Sequence, residues 1–241
     1  MSLSFLWALL VKDPLIILAT IFMGSISVCV SFFDPDHRIC DAIARRWAGW
    51  LVSIAGIKLR VRGLENIDPN QSYVFAGNHL SLYDTPVILS SVPNRFLFLV
   101  NERYVKIPFL GTHLRRTGHF SVNREDVRGS LRILTQAAAA MRQRGVSVLL
   151  FPEGARALDE IGEFREGAAY IAVKAGVPVI PFALTGTREV LPIGSVHVKG
   201  GPVELVFGPP IATDGYALKN RAELNRQLFD AVSRLLREAR S

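Results

Sequence analysis

Cysteine is nearly missing from this chain: Cys29 and Cys40 are the two present among 241 residues. They are too few for a disulfide framework, and a reducing compartment is the expected setting. Histidine occurs five times, at positions 37, 79, 113, 119 and 197. No His-x-x-x-His or paired-cysteine spacing appears among them, so no metal site is indicated. Acidic residues fall short of basic ones, 21 against 28, for a net charge of +7 and a pI near 9.8. That balance calls for an anionic partner: nucleic acid, phospholipid headgroups or a phosphorylated substrate. The chain lacks a recognition helix, an aromatic-studded basic sheet and a zinc module, which argues against nucleic acid. It also lacks internal repeats and any linker that would divide residues 58–241.

One long uncharged run is present. Pro14 to Phe33 holds twenty residues without a formal charge, about 30 Å as a helix, the thickness of a bilayer's hydrocarbon core. Asp13-Pro14 reads as its start and Asp34-Pro35-Asp36 as its stop. No small-x-small cleavage site follows, so a membrane helix is a better reading than a secretory signal. From His37 to Ile57, Ile39, Ile43, Trp47, Trp50, Leu51 and Ile54 recur at three- and four-residue steps against Arg38, Asp41, Arg45 and Arg46. This predicts an amphipathic helix suited to a membrane interface. Six basic residues against one acidic between Arg38 and Arg62 predict that the bulk of the chain lies on the cytoplasmic side of the membrane; a cell inner membrane is the expected location.

Beyond Lys58 the pattern changes to strands alternating with helices. Lys58–Arg62, Ser72–Ala76, Arg95–Val100, Gly118–Val122, Val146–Phe151, Val179–Ala183 and Val203–Phe207 read as strands. One helix should carry Val127, Leu131, Leu134, Ala138 and Met141 inward and end at Gly145; another should run from about Arg221 to Arg240. The expected architecture is α/β, a mixed central sheet flanked by helices. Residues 57–241 would form this domain and residues 1–56 a membrane-associated helical pair.

Asn78 to Pro86, reading Asn-His-Leu-Ser-Leu-Tyr-Asp-Thr-Pro, places His79 and Asp84 five positions apart. On a helix that spacing is about 500°, leaving the side chains roughly 140° apart. A turn must therefore bring them together, with a strand ending near Ala76 and a helix starting at Asp84 or Thr85 as cap with Pro86 in its first turn. A carboxylate on one imidazole nitrogen fixes the tautomer and supports the cation formed when the other nitrogen takes a proton. His79 is thus a candidate general base. A second post-strand loop, Phe151-Pro152-Glu153-Gly154-Ala155-Arg156, supplies a carboxylate, a flexible glycine and a guanidinium. Glu153 could serve as an ion-pair partner holding Arg156. Ser81 beside the pair invites a hydrolase reading, yet Gly-x-Ser-x-Gly is missing.

These two stretches, with Gly118-His119-Phe120-Ser121-Val122-Asn123-Arg124 and Val177-Pro178-Val179-Ile180-Pro181, resemble the four ordered motifs of the glycerolipid acyltransferases. The resemblance covers about residues 57 to 212 and leans toward the 1-acyl-glycerol-3-phosphate (lysophosphatidate) acyltransferase branch. It implies transfer of an acyl group from acyl carrier protein or coenzyme A to lysophosphatidic acid at a membrane, with no cofactor. His79 and Asp84 would be catalytic; Lys106, Arg124, Glu153, Gly154 and Arg156 would bind substrate. Ala155 stands where the family more often has threonine or serine, and Asn123 where aspartate is frequent. Both departures leave open another lysolipid acceptor. Outside the family, a lipid hydrolase using Ser81 and a non-catalytic binder of anionic lipid are the rival readings.

Overall fold

The computed structural model describes residues 6–123, 126–157 and 161–240. Seven strands form one sheet: β1 (Ile57–Arg62), β2 (Val74–Gly77), β3 (Phe96–Asn101), β4 (Phe120–Val122), β5 (Ser147–Leu150), β6 (Val179–Thr185) and β7 (Gly201–Phe207). Each falls where the sequence places a strand. Their order is β1-β7-β6-β2-β5-β3-β4, and every pairing is parallel except β6 with β7. The sheet is therefore mixed, as the alternation of elements predicts.

Alternation along the strands divides the core in two. Tyr73, Phe75, Phe96, Phe98, Leu149, Ile180, Phe182 and Leu205 face one side, where they pack with residues of the helices α1 (Asp13–Val30), α2 (Arg38–Ala55) and α3 (Asp84–Ser91). Val74, Ala76, Val148, Leu150, Val179, Ala183 and Val206 face the other side. Helices α5 (Val127–Arg144), α6 (Gly167–Ala175) and α8 (Arg221–Glu238) cover that face; α4 (Leu110–Arg116) precedes β4 and α7 (Thr187–Val190) follows β6. The central strands β2, β5 and β6 bury both of their faces, which gives a three-layer sandwich; at the edge, β1 leaves Lys58 and Arg60 exposed. In α5, Ala137, Ala138 and Met141 are buried while Leu131 is half exposed, so the inward stripe is narrower than its apolar period indicates. Gly145 does end the helix in the left-handed region, at φ 62°.

The N-terminal helices depart from the sequence reading in one instructive way. Asp13 is the first residue of the α-helix, as read, but helical backbone already runs through Ala8–Lys12 as a π-helical segment, and Ala8–Val30 is long and apolar enough, by length and composition, to cross a membrane. The Asp13 carboxylate is used across the fold instead, lying 2.7 Å from His197 Nδ1 and accepting from the Val198 amide. Beside it, Lys12 Nζ donates to the carbonyls of Ala55 and Lys199. These polar contacts fasten α1 to the end of α2 and to the loop before β7. The amphipathic α2 packs through Ala48, Leu51 and Ala55 into the same core as the sheet, so this predicted interfacial helix is also a structural layer.

Replacing Asp13 with Ala removes two of these contacts, worth about 1 kcal/mol each. The expected result is a Tm lowered by several degrees and faster limited proteolysis near residues 192–200, with the β-sheet signal in circular dichroism unchanged.

Candidate active site

Strands β5, β2 and β6 are parallel neighbours at the middle of the sheet, with Ala76 paired to Leu150 and to Pro181. The segments after all three consequently emerge side by side at the carboxyl edge, the usual place for chemistry in an α/β sheet. Gly77 permits the close packing there: a Cβ at this position would lie 2.2 Å from the Phe182 carbonyl oxygen. Asn78 then ties the β2 loop to β6, its side-chain amide donating to the Leu184 carbonyl and its oxygen accepting from the Leu184 amide.

The turn required by the five-residue spacing is built around Asp84. Its Oδ2 lies 2.7 Å from His79 Nδ1 and accepts from the amides of Leu80 and Ser81 at 2.7 and 2.9 Å. Its Oδ1 accepts the hydroxyl of Thr187. Asp84 is the first residue of α3 and not its cap: Tyr83 holds the cap position, and no side chain caps the helix. The expected capping bond is missing because the carboxylate turns back toward the loop, although it still sits in the favourable field of the helix N-terminus. The imidazole of His79 stacks on Phe151, centroids 4.0 Å apart and planes 11° apart. One ring nitrogen is thus held and the face is braced, while Nε2 has no hydrogen-bond partner among the described residues.

Glu153 connects the two motif loops, though not through Arg156. Its Oε1 accepts the His79 amide at 2.7 Å and its Oε2 the Gly162 amide at 2.8 Å. No ion pair with Arg156 occurs among the described residues. The carboxylate serves as a backbone clasp on the histidine itself. Burial raises its pKa above the ordinary value, and the two amide bonds pull against that shift. Gly154 adopts φ 74°, a left-handed conformation that a side chain would strain. Ala157 N–H closes the arrangement by donating to the His79 carbonyl. Ser81 is fully buried, with its hydroxyl donating to the Leu191 carbonyl, a bond that a nucleophile for hydrolysis would have to give up. Thr187 and Phe151 are the contacts that sequence reasoning assigned no role, since neither carries a spacing signal relative to His79.

His79, Gly154 and Arg156 line a cavity of about 790 Å³. It extends past Tyr83, Leu89 and Trp47 to Met23, Ser27, His113 and His119, and its lining is mostly apolar. Lys106 lies exposed at the end of the short Glu102–Lys106 turn; its neighbours Arg103 and Tyr104 line the cavity and it does not. Arg124 lies outside the described residues. Burial pushes His113 down to about 4 and His119 to about 3, so both rings are neutral in ordinary buffers.

The clasp makes a specific demand. Glu153→Gln keeps one acceptor but sets an NH2 group against the second amide, so the His79 loop should loosen while the His79–Asp84 pair persists. Charge-assisted bonds of this kind are worth about 1.5 to 3 kcal/mol, corresponding to roughly a ten- to hundredfold lower kcat/KM. Steady-state kinetics on a variant with unchanged Tm checks it.

Comparison with known proteins gives a consistent result. A family model described as acyltransferase matches residues 58–185, just over half of the chain. The 1-acyl-sn-glycerol-3-phosphate acyltransferase of Chlamydomonas reinhardtii is 31% identical over 84% of this chain and 60% of its own length. A chloroplastic 1-acyl-sn-glycerol-3-phosphate acyltransferase of Arabidopsis thaliana is 33% identical over 76% and 51%, so the chain spans little more than half the length of these two relatives. The 1-acyl-sn-glycerol-3-phosphate acyltransferase of Pseudomonas aeruginosa is 29% identical over 89% of this chain and 84% of its own. Among solved structures, the 1-acyl-sn-glycerophosphate (LPA) acyltransferase PlsC from Thermotoga maritima superposes with a TM-score of 0.77 at 26% identity, covering 95% of this chain and 97% of that one. The matched region contains β1 through β6 and both loops that meet at His79, and on that evidence the chain belongs to the acyltransferase family.

Proposed function

We propose that the chain is a membrane-bound enzyme that moves a fatty acyl group from a thioester to the free sn-2 hydroxyl of 1-acyl-glycerol-3-phosphate, giving phosphatidic acid. The observation that carries this reading is His79. Its Nδ1 is tied to a fully buried carboxylate, its Nε2 is left without a partner, and its ring opens on a large apolar cavity. The acyl chain lies in the cavity with its carbonyl beside His79. Nε2 takes the proton of the acceptor hydroxyl as that oxygen attacks the thioester carbonyl. When the tetrahedral intermediate collapses, the C–S bond breaks and the leaving sulfur takes the proton from the imidazolium, departing as the free thiol and returning His79 to its starting form. The amides of Ala155 and Arg156 follow the left-handed Gly154 and have no partner among the described residues; they are suitable donors to the developing oxyanion.

The acceptor phosphate is assigned to Arg156, whose fork suits it geometrically, together with Arg124 and Lys106 on the strength of the family resemblance. The resemblance alone supports acyl carrier protein or coenzyme A as the acyl carrier. Membrane attachment draws on the apolar surface of the N-terminal helices. Trp7, Leu10, Ile17, Leu18, Phe22, Phe32, Phe33 and Ile39 are exposed, and Phe22 stacks on Trp50. An apolar surface of this extent normally marks a membrane or protein interface, and the basic excess from Arg38 onward favours the cytoplasmic face of an inner membrane.

Incubation with 1-acyl-glycerol-3-phosphate and an acyl thioester tests the reading. Wild type should make phosphatidic acid and little free fatty acid. His79→Ala should lose roughly 10²- to 10⁴-fold, Asp84→Asn should fall similarly, and Ser81→Ala should change the product ratio not at all. Release of free fatty acid as the main product would show a hydrolase, and no turnover with unchanged vesicle binding would show a lipid-binding protein.

A further inference from the structure

At the end of the cavity remote from His79 two imidazoles face one another. The rings of His113 and His119 have centroids 5.8 Å apart, and both residues line the cavity with Ser27 and Asp41. This end is distant from the reacting carbonyl. In the strand order, β4 is three positions from β2, about 14 Å at a spacing of about 4.8 Å. Register places His119, just before β4, level with Phe98 and hence with Phe75 in the middle of β2, below the loop that holds His79.

The proton on each ring is located by its neighbours. His119 Nδ1 accepts the backbone amide of Phe98 at 2.9 Å. A nitrogen that accepts an N–H bond has no proton of its own, so the neutral ring carries its proton on Nε2. His113 Nδ1 lies 2.7 Å from the hydroxyl of Ser27. That buried hydroxyl has no other acceptor among the described residues, so it donates to Nδ1 and leaves the His113 proton on Nε2 as well. Neither Nε2–H has a partner among the described residues, and neither is sealed in packed protein. Two donors therefore point into open space at the far end of a mostly apolar cavity, which Ser27 and Asp41 also line.

We infer that this end of the cavity is a binding site for a hydroxyl or oxo oxygen carried well down the acyl chain, so that oxygenated acyl groups are favoured donors. A plain alkyl chain filling this end would leave both N–H groups unbonded, which is costly; a chain oxygen accepts one or both. The neutral rings suit an uncharged oxygen rather than a carboxylate. The inference rests on the placement of the acyl chain in this cavity.

The experiment is an internal competition. The full chain, in detergent-mixed lipid, receives lysophosphatidate and an equimolar pair of coenzyme A thioesters: a saturated acyl group and its monohydroxy counterpart, with the hydroxyl moved along the chain in successive pairs. Wild type should show one window of positions at which the hydroxy product exceeds the plain one, by roughly two- to tenfold for one hydrogen bond. His119→Asn keeps an amide oxygen where Nδ1 accepts from Phe98 but removes one of the two donors, and the ratio in the window should fall toward that of the other positions. His119→Gln carries an NH2 toward the Nε2 position and should retain part of the preference. Because both substrates compete in one tube, partial misfolding of a variant cancels from the ratio. Transfer of plain chains with no preferred window, or a window undiminished by His119→Asn, would overturn the inference. No transfer from any thioester would overturn the acyl-transfer reading itself, and the inference with it.

Discussion

The Asp84 carboxylate accepts four hydrogen bonds while fully excluded from solvent, and the site depends on it. A buried carboxylate is costly unless each oxygen is satisfied, and here the satisfying groups come from two places, the preceding loop and α7. Two are amides of its own loop, one is a hydroxyl on α7, and one is the imidazole. The carboxylate therefore folds the loop, pins α7 against it and orients His79 in a single step. Loss of any of these partners would leave charge uncompensated in the interior, which is why the geometry of the pair is tied to the stability of the loop.

The sheet order explains why this hub can also govern a large cavity. Because β2 lies between β5 and β6 in parallel register, the loop holding His79 is flanked by Glu153 on one side and Thr187 on the other. Both close on it without long connections. The cavity begins at His79 and continues between the β3–β4 edge and the helices α1 and α2, so the N-terminal segment supplies one of its walls. The cavity wall and the apolar outer surface are opposite faces of the same helices; under the proposed function this gives a lipid a short path from bilayer to base.

Much of this was legible in the sequence. Short apolar or alternating runs bounded by turn residues mark all seven strands, and the reasoning that a five-residue spacing needs a turn puts His79 on a loop beside Asp84. The misreadings came from side chains that satisfy tertiary rather than local partners. Asp84 and Asp13 do begin α-helices, as an aspartate shortly before a proline signals, but neither carboxylate caps its helix: each reaches out of it to a histidine. Glu153 was paired in thought with the nearby Arg156, whereas it clasps the His79 amide, 74 residues away in sequence. The bond from Thr187 to Asp84 and the meeting of His113 with His119 are not legible in the sequence, because the partners are brought together only by strand order.

The central claim is that Asp84 holds His79 in the tautomer protonated at Nδ1, leaving Nε2 as the base. Nitrogen-15 NMR of the imidazoles in the resting protein measures this directly. The account predicts a neutral His79 with its proton on Nδ1 and a proton-free Nε2, and a loss of that bias in Asp84→Asn. A resting His79 protonated at Nε2, or a tautomer unchanged by Asp84→Asn, would contradict it.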